Sequence, residues 1–235
     1  MHSLPQQGGA GELQTSVEQG LLALHPARLD DYFEIRILRH DKRVDAGYFC
    51  EATRAADAID AHVAEGILAN YYVTLNPIMP TRVDGRPINR IDRGVTTATR
   101  DADITWRRWL LVDVDPVRPA GVSSTDAELA RSRECRDAIV AWLQARDWPD
   151  PVLAMSGNGH HAVFPIDLPA DAATAARLKR VLTRLAVVFS TPQVIVDTTV
   201  ANAARICKVY GTRARKGIAT PDRPHRLADL EVALW

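Results

Sequence analysis

The sequence predicts an α+β fold in which helices cover one face of an antiparallel sheet. Three observations indicate this class: two long helical patterns, short apolar runs bounded by glycine or proline, and a tight turn that joins two such runs without a helix. In the second half the predicted order is strand, helix, hairpin, helix, strand, strand. Elements in that order build a sheet with its helices on one face. The first half predicts a smaller α/β unit that shares the same core.

Size and composition restrict the class of protein. A chain of 235 residues is long enough for one large domain or two small, closely packed ones. The 29 basic residues balance 29 acidic ones, which excludes a uniformly basic nucleic-acid coat but allows a local basic groove. The three cysteines form no CxxC pair, which argues against a zinc ribbon or a disulfide framework. No apolar run reaches membrane-spanning length, so we expect a soluble, cytoplasmic protein with no membrane partner.

The first half contains one hairpin, two helical patterns and a third strand. Residues 1–14 predict a flexible tail. The predicted elements are a helix from Val17 to Leu24, strands from Tyr32 to Arg39 and Val44 to Cys50, a helix from Thr53 to Glu65, and a strand from Tyr71 to Leu75. Residues 78–107 have no apolar periodicity and are rich in arginine. They predict a long loop that is either solvated or in contact with phosphates.

The second half contains the longer patterns. Arg108 to Pro116 predicts a buried strand, and a helix follows from the N-cap residues around Ser123 up to Trp148. The remaining predicted elements are strands from Val152 to Ser156 and His161 to Asp167, a helix with Leu178, Leu182, Leu185 and Phe189 on one face, strands from Val194 to Val196 and Ile206 to Tyr210, and a last helix or strand from Leu227 to Trp235.

Two aspartates lie at the end of the strand that begins at Arg108. Because side chains alternate along a strand, Leu111, Asp113 and Asp115 share one face. Like charges about 7 Å apart on one strand repel each other unless a cation lies between them, and a divalent metal with oxygen ligands is the usual solution. The spacing by itself is equally compatible with a solvated strand end that leads into a turn.

A glycine-rich turn joins the next two strands. The residues from Ser156 to His161 read Ser-Gly-Asn-Gly-His-His. Glycines on both sides of Asn158 permit positive φ and a close approach of a ligand to the backbone, and exposed N–H groups in such a turn can bind an anion. An ordinary hairpin turn followed by two unrelated histidines has the same pattern, so the turn alone does not decide between the two interpretations.

A third carboxylate and a basic cluster follow. Asp197 ends a short apolar strand, as the first two aspartates do. A solvated basic surface is one interpretation of the cluster, whose members are Arg205, Lys208, Arg213, Arg215 and Lys216. Three carboxylates, a glycine-rich turn and basic side chains together favour phosphoryl transfer, in which metals and cationic groups bind the phosphates. A Ser-His-Asp hydrolase fits less well, because Ser156 lies in no GxSxG motif.

Taken in order, these motifs resemble those of the archaeo-eukaryotic primase superfamily. The resemblance covers roughly residues 70–220 and rests on the Asp113-x-Asp115 strand, the turn from Ser156 to His161, the Asp197 strand, and the Asn202-x-x-Arg205 run. The chain looks like the primase–polymerase domains of bacterial mobile elements, phages and plasmids. The resemblance implies a single domain over 15–235, with an N-terminal α/β unit over about 15–105 and an RRM-like catalytic unit over about 106–235.

The resemblance also implies roles for individual residues. Asp113, Asp115 and Asp197 would hold two Mg²⁺ or Mn²⁺ ions and, with His161, form the catalytic set. The expected nucleotide-binding residues are Ser156, Gly157, Asn158, Gly159, His160, His161, Arg205 and Lys208. The expected nucleic-acid-binding residues are Arg213, Arg215, Lys216, Arg107 and Arg108.

The implied function is the synthesis or extension of primers on single-stranded DNA from NTPs or dNTPs, in replication of a mobile element or in repair, with a helicase as an expected partner in cis or in trans. Two other classes remain open. A non-catalytic single-strand-binding module would bind without metal and incorporate no nucleotide. A replication-initiator nicking enzyme would need a tyrosine nucleophile and two histidines separated by a hydrophobic residue, and His160-His161 lacks that spacer.

Overall fold

The computed structural model describes residues 15–26 and 31–232, and it confirms the predicted α+β class. In this part of the chain the strands form two antiparallel sheets, one of four strands and one of five. Both sheets contribute to one main hydrophobic core. The predicted tail over 1–14 lies outside the described residues.

The helices and strands follow the predicted order closely. In chain order they are α1 (Val17–Leu24), β1 (Phe33–Arg39), β2 (Val44–Phe49), α2 (Ala52–Ala64), β3 (Ala69–Thr74), α3 (Pro80–Val83), β4 (Trp106–Pro116), α4 (Asp126–Gln144), β5 (Val152–Met155), β6 (His160–Pro169), α5 (Ala172–Phe189), β7 (Val194–Val196), β8 (Ile206–Lys208) and β9 (Asp229–Val232). Two short 3-10 helices lie at Asp101–Asp103 and Thr199–Ala201.

The five-stranded sheet has the order β7-β4-β6-β5-β9. The segment β4-α4-β5-β6-α5-β7 forms a βαββαβ unit. Its first and third strands, β4 and β6, are neighbours and lie between the other two strands of the unit. This is the split βαβ arrangement, and it matches the RRM-like sheet that the sequence motifs imply. The last strand, β9, extends this sheet beyond β5.

Helices α4 and α5 bury their apolar stripes in the core. A capping box at Thr125 starts α4, and the side chain of Asp171 caps α5 by accepting a hydrogen bond from the Thr174 N–H. The buried stripe of α5 consists of Leu178, Leu182 and Leu185. Since Val112 and Val114 are buried with these helices on one face of β4, the alternate residues Leu111, Asp113 and Asp115 face away from them.

The four-stranded sheet has the order β2-β1-β3-β8. Its first three strands come from the N-terminal half, but β8 comes from the C-terminal half and pairs Lys208 with Tyr72 of β3. The predicted catalytic unit over 106–235 therefore supplies a strand to the N-terminal sheet, and the two units share that strand. This pairing places the basic residues around β8 opposite the acidic strand end of β4.

The arginine-rich stretch after β3 is held against the N-terminal sheet. Ala46 on the edge strand β2 exchanges backbone hydrogen bonds with Asp92. Near the two ends of the stretch, Ile78 and Ile104 form a second small core cluster with Ala203 and other residues. The stretch is therefore an ordered strap, which includes α3 and one 3-10 helix, and many of its side chains are exposed. Among the described residues, none of the helices is long and apolar enough to cross a bilayer.

Candidate active site

A cavity of about 390 Å³ lies between the two sheets, and most of the predicted site residues line it. The acidic end of β4, the turn between β5 and β6, and the basic residues around β8 meet there. The predicted residues in its wall are Asp113, Asp115, Ser156, Asn158, His161, Arg205, Lys208, Arg215 and Lys216. Three motifs that are far apart in the sequence are therefore brought to one place.

Each of the two carboxylates of β4 faces its own cationic group. Asp113 Oδ1 lies 3.4 Å from His161 Nε2, and Asp115 Oδ1 accepts a hydrogen bond from Arg118 at 3.2 Å. Burial raises the pKa of Asp113, but the charge and hydrogen bond of His161 outweigh it and hold that pKa below its ordinary value. The pKa of Asp115 is raised, first by partial burial and then by the neighbouring charge of Asp113. A pair of like charges on one strand is the expected cause of this split.

His161 contacts three neighbouring side chains. Its Nδ1 lies 2.9 Å from the hydroxyl of Tyr210 and 3.5 Å from the Cys207 thiol, while its Nε2 faces Asp113. Burial lowers the pKa of His161, but Cys207 and the Asp113 carboxylate outweigh burial and raise that pKa above its ordinary value. A doubly protonated ring is a donor at both nitrogens, so the Nδ1–H donates a hydrogen bond to the Tyr210 hydroxyl and the Nε2–H faces the Asp113 carboxylate. The imidazolium thus has a fixed orientation in the cavity wall.

The turn between β5 and β6 brings its backbone against the acidic strand. Gly157 has φ +96°, and a Cβ there would lie 2.3 Å from the Cβ of Ala214. A Cβ on Gly159 would lie 2.8 Å from Asp115 Oδ1. The Ser156 hydroxyl closes the turn by accepting from the Gly159 N–H, and the Asn158 side chain accepts from the backbone N–H of a loop serine. Both glycines are needed for close packing, and these two polar side chains shape the turn.

Four cationic side chains line the opposite wall. Arg205 and Lys208 flank and end β8, and Arg215 and Lys216 follow in the next loop. Asn70 of β3 holds Arg215 through two hydrogen bonds to its backbone, at 2.8 and 3.0 Å. Within the described residues the Nε of Arg205 is buried and has no hydrogen-bond partner. An unsatisfied buried donor in a basic wall is suited to binding an anion.

Lys208 is the most deeply buried of these cations. Its Nζ donates to the Arg213 carbonyl at 3.2 Å and lies 5.7 Å from the ring centroid of Tyr72. Burial, and then the charge of Arg215, lower the pKa of Lys208 to about 7. An approaching anion would favour the charged form of this lysine, so binding of an anion and uptake of a proton are linked.

The third predicted metal ligand lies beside the first two, but it does not line the cavity. The backbone N–H of Asp197 donates to the Asp113 carbonyl at 2.9 Å, which puts the two residues opposite each other at the ends of β4 and β7. Its Oδ1 accepts from the Thr199 N–H at 2.7 Å. Across the described ranges, no group of three histidine, cysteine or acidic residues is close enough together to form a ready-made metal site.

The donor set nevertheless fits a hard divalent cation in part. Asp113 and Asp115 present carboxylate oxygens from one strand face into an open cavity, and burial, followed by the charge of Asp113, raises the pKa of Asp115. Oxygen ligands of this kind suit Mg²⁺ or Mn²⁺. Asp197 is the adjacent third candidate.

Four other predicted site residues lie away from the cavity, and their contacts explain their positions. His160 points to the other face of β6, where it contacts Ser132 and Glu231, because adjacent strand residues face opposite ways. The guanidinium of Arg107 is buried and donates to the Ala201 carbonyl at 2.7 Å.

Arg108 forms an ion pair with Asp31, and its Nη2 donates to Asp31 Oδ1 at 2.8 Å. Arg213 lies outside the cavity wall and donates to the His225 carbonyl at 2.7 Å. The side chains of His160, Arg107, Arg108 and Arg213 thus make contacts within the protein and do not line the cavity, and their binding roles stay predictions.

Several residues of the site were not predicted from the sequence. Asn70 and Tyr72 come from the N-terminal sheet, and Arg118 comes from the turn after β4. Only Arg118 carried a hint, because it follows Asp115 by three residues. The contact of Tyr210 with His161 depends on the pairing of β8 with β3, which the sequence does not reveal.

No protein-family model matches the chain, and no curated protein matches its sequence. Two solved structures are similar in fold. The crystal structure of primase RepB′ has a TM-score of 0.48 and 12% identity, and the match covers 92% of this chain and 56% of that one. The crystal structure of the catalytic domain of primase RepB′ in complex with initiator DNA has a TM-score of 0.47 and 13% identity, over 93% of this chain and 86% of that one.

The chain thus spans about half the length of the first of these two structures, as its 56% coverage shows. At this identity and TM-score the likeness does not by itself identify a function.

Proposed function

We propose that this protein is a nucleotidyltransferase of the primase–polymerase type, which joins nucleotides on a single-stranded DNA template with the help of Mg²⁺ or Mn²⁺. One observation carries the proposal: a single cavity has a pair of carboxylates on one wall and four cationic side chains on the other. A nucleoside triphosphate bound to divalent metal has complementary poles. Its metal ion binds carboxylate oxygens, and its phosphate groups bind arginine and lysine side chains.

The residues of the chain divide the work by charge. Asp113 and Asp115, with Asp197 beside them, would hold the metal, which when bound supplies charge neutralisation and activates the attacking hydroxyl. Arg205 and Lys208 bind phosphate oxygens, and the buried, unpaired Nε of Arg205 is a donor available for this purpose. This binding orients the triphosphate and favours the charged form of Lys208.

His161 links the two poles of the site. Its Nε2 contacts Asp113, and the ring lines the same cavity as Arg205. Because the pKa of His161 is raised, the ring carries positive charge at neutral pH and attracts the triphosphate. A cytoplasmic location and a partner helicase, in cis or in trans, belong to this proposal. The free thiols of Cys50, Cys135 and Cys207 suit a reducing compartment.

Nucleotide incorporation on a single-stranded oligonucleotide tests the proposal directly. Wild-type protein with Mg²⁺ or Mn²⁺ should incorporate labelled NTPs or dNTPs, with or without a primer. We expect Asp113→Asn and Asp115→Asn each to reduce the rate by about 100-fold or more, because each removes a charge from the metal site. Asp57→Asn, an exposed change on α2, is the matched control and should have no effect.

The result also separates the proposal from its competitors. Full incorporation by the Asp113→Asn variant would show that the assignment of the acidic pair is wrong. A protein that binds single strands equally well without metal, and incorporates nothing under any condition, would be a binding module.

A further inference from the structure

A second basic cavity lies apart from the candidate active site, on the strap that follows β3. It has a volume of about 270 Å³, and its lining residues are Arg82, Arg86, Thr97, Arg100 and Asp103, which we call the arginine cavity. None of these residues lines the larger cavity between the sheets. None of them belongs to the motifs on which the proposed function rests.

The frame of the arginine cavity is fixed by contacts within the strap. Arg82 Nε lies 3.2 Å from Asp103 Oδ2, and the guanidinium carbon lies 5.6 Å from the ring centroid of Tyr48. The same carboxylate of Asp103 accepts a hydrogen bond from the Arg100 N–H at 2.7 Å. The contact between Arg82 and Asp103 is an ion pair without hydrogen-bond geometry, so the buried Nε of Arg82 has no hydrogen-bond acceptor among the described residues. The site is therefore pre-formed and has an unused donor.

The charge of the lining selects an anion. Three guanidinium groups face one carboxylate, which leaves an excess of two positive charges. In the described part of the chain, neither Arg86 nor Arg100 has an ion-pair partner, and both are exposed. Guanidinium groups present several N–H donors in a planar fork that matches the oxygens of a phosphate. The geometry and charge together therefore suit a phosphate group.

The strap also connects this cavity to the candidate active site. Asp101 follows Arg100, and its Oδ1 accepts a hydrogen bond from the Ala204 N–H at 2.8 Å. Ala204 directly precedes Arg205, which lines the active-site cavity. A polynucleotide that reaches the active site carries one phosphate per nucleotide, so it has further phosphates besides those bound in the active site.

We propose that the arginine cavity binds a backbone phosphate of a single-stranded nucleic acid, outside the nucleotide-binding cavity. The nature of the strand rests on the proposed function, whereas the phosphate chemistry rests on the arginine cavity alone. Arg86 and Arg100 make the contact, and Arg82 with Asp103 forms the frame.

The test removes the two exposed charges and keeps the frame. The double variant Arg86→Gln/Arg100→Gln leaves Arg82, Asp103 and the Tyr48 contact unchanged. Binding of a labelled oligothymidylate of about 20 nucleotides is measured by fluorescence anisotropy over a range of salt concentrations, without metal or nucleotide. The control is Arg54→Gln/Arg131→Gln, which removes the same charge from exposed positions elsewhere.

We expect the affinity of the cavity variant to fall by about tenfold at low salt. The slope of log K against log salt should become shallower by about 0.7 for each phosphate contact that is lost. The control variant should keep the wild-type slope. Thermal melting of both variants checks that the fold is intact, since exposed arginines without partners contribute little to stability.

Two results would overturn the inference. One is a cavity variant that binds the oligonucleotide with the same slope and affinity as the control. The other is unchanged oligonucleotide binding together with weaker binding of inorganic phosphate or NTP, which would assign the cavity to a free ligand. Because the assay contains no metal or nucleotide, failure of Asp113→Asn to abolish synthesis would refute the proposed function without touching this result.

Discussion

Removal of one buried hydroxyl, in Tyr210→Phe, tests whether the orientation of His161 matters for activity. Tyr210 is fully buried, and its hydroxyl lies 2.9 Å from His161 Nδ1 and 3.3 Å from the Cys207 thiol. Phenylalanine keeps the ring and its packing but removes the acceptor for the Nδ1–H. The ring of His161 then keeps its contact with Asp113 at Nε2, and the Cys207 thiol at 3.5 Å, a weak acceptor, is the remaining neighbour of Nδ1.

The size of the effect follows from the lost hydrogen bond. A buried donor left without a partner costs about 1–3 kcal/mol. We expect the free energy of unfolding to fall by about that amount. If the same contact also orients the imidazolium in the transition state, nucleotide incorporation falls by about tenfold for each 1.4 kcal/mol.

The N-terminal sheet provides a matched control for this change. Tyr71, the neighbour of the cavity residue Tyr72 on β3, lies with its hydroxyl 3.0 Å from His62 Nδ1, and His62 Nε2 lies 3.1 Å from Asp45. This second buried Tyr-His-Asp trio is outside the active-site cavity. Tyr71→Phe should therefore have a similar cost in stability and no cost in activity.

Two measurements decide the outcome. Urea unfolding gives the loss of stability for both variants, and single-turnover incorporation, corrected for the folded fraction, gives the loss of activity. Equal activity in Tyr210→Phe and Tyr71→Phe would refute the idea that Tyr210 positions His161. A loss of activity in Tyr210→Phe alone would support it.

Two further changes test the N-terminal sheet and the turn beside the site. Burial raises the pKa of Asp45, but a hydrogen bond from the Gly94 N–H and nearby cationic groups outweigh burial and hold that pKa at about 2, below the ordinary 3.8. The lowered pKa contributes about 2 kcal/mol to the free energy of unfolding above pH 4, and this contribution is lost as the pH falls through 2. Urea unfolding should therefore show that the difference in stability between wild type and Asp45→Asn becomes smaller in acid. A difference in stability that is constant with pH would contradict this. Gly159→Ala should shift the end of β4 and lower both the incorporation rate and the free energy of unfolding, because its Cβ would lie 2.6 Å from the Val114 carbonyl oxygen and 2.8 Å from Asp115 Oδ1. Incorporation at the wild-type rate would show that the close packing is not needed.

The local parts of the fold could be predicted because they depend on short-range periodicity. Alternation along β4 was sufficient to put Asp113 and Asp115 on one face, and both line the cavity. The stripe of α5, from Leu178 to Leu185, was equally readable and is buried. Such patterns need no knowledge of distant residues.

The parts that could not be predicted depend on long-range pairing. The register of β4 with β6 pairs Asp113 with His161 and Val114 with His160, and this register decides which histidine reaches the cavity. The partner of β8 is β3, far away in the sequence, so the contributions of Tyr72 and Asn70 could not be foreseen.

Arginine is difficult to assign from the sequence for a different reason. Its long stem packs in the interior while its guanidinium reaches a carbonyl or a carboxylate. Residue type therefore suggested a nucleic-acid contact for Arg107, where the structure has a buried side chain that donates to a backbone carbonyl.

The strand β8, which the C-terminal half of the chain supplies to the N-terminal sheet, has a mechanical consequence for the site. The carboxylates of Asp113 and Asp115 belong to the five-stranded sheet, whereas Arg205 and Lys208 flank and end a strand of the four-stranded sheet. A ligand that contacts both the acidic and the basic wall of the cavity links the two sheets across their interface. Any shift of one sheet relative to the other changes the spacing between the negative and positive walls of the cavity. The packing of the sheets thus determines the distance between the acidic and the basic wall. Substitutions at the interface between the sheets therefore change this distance without replacing a charged residue.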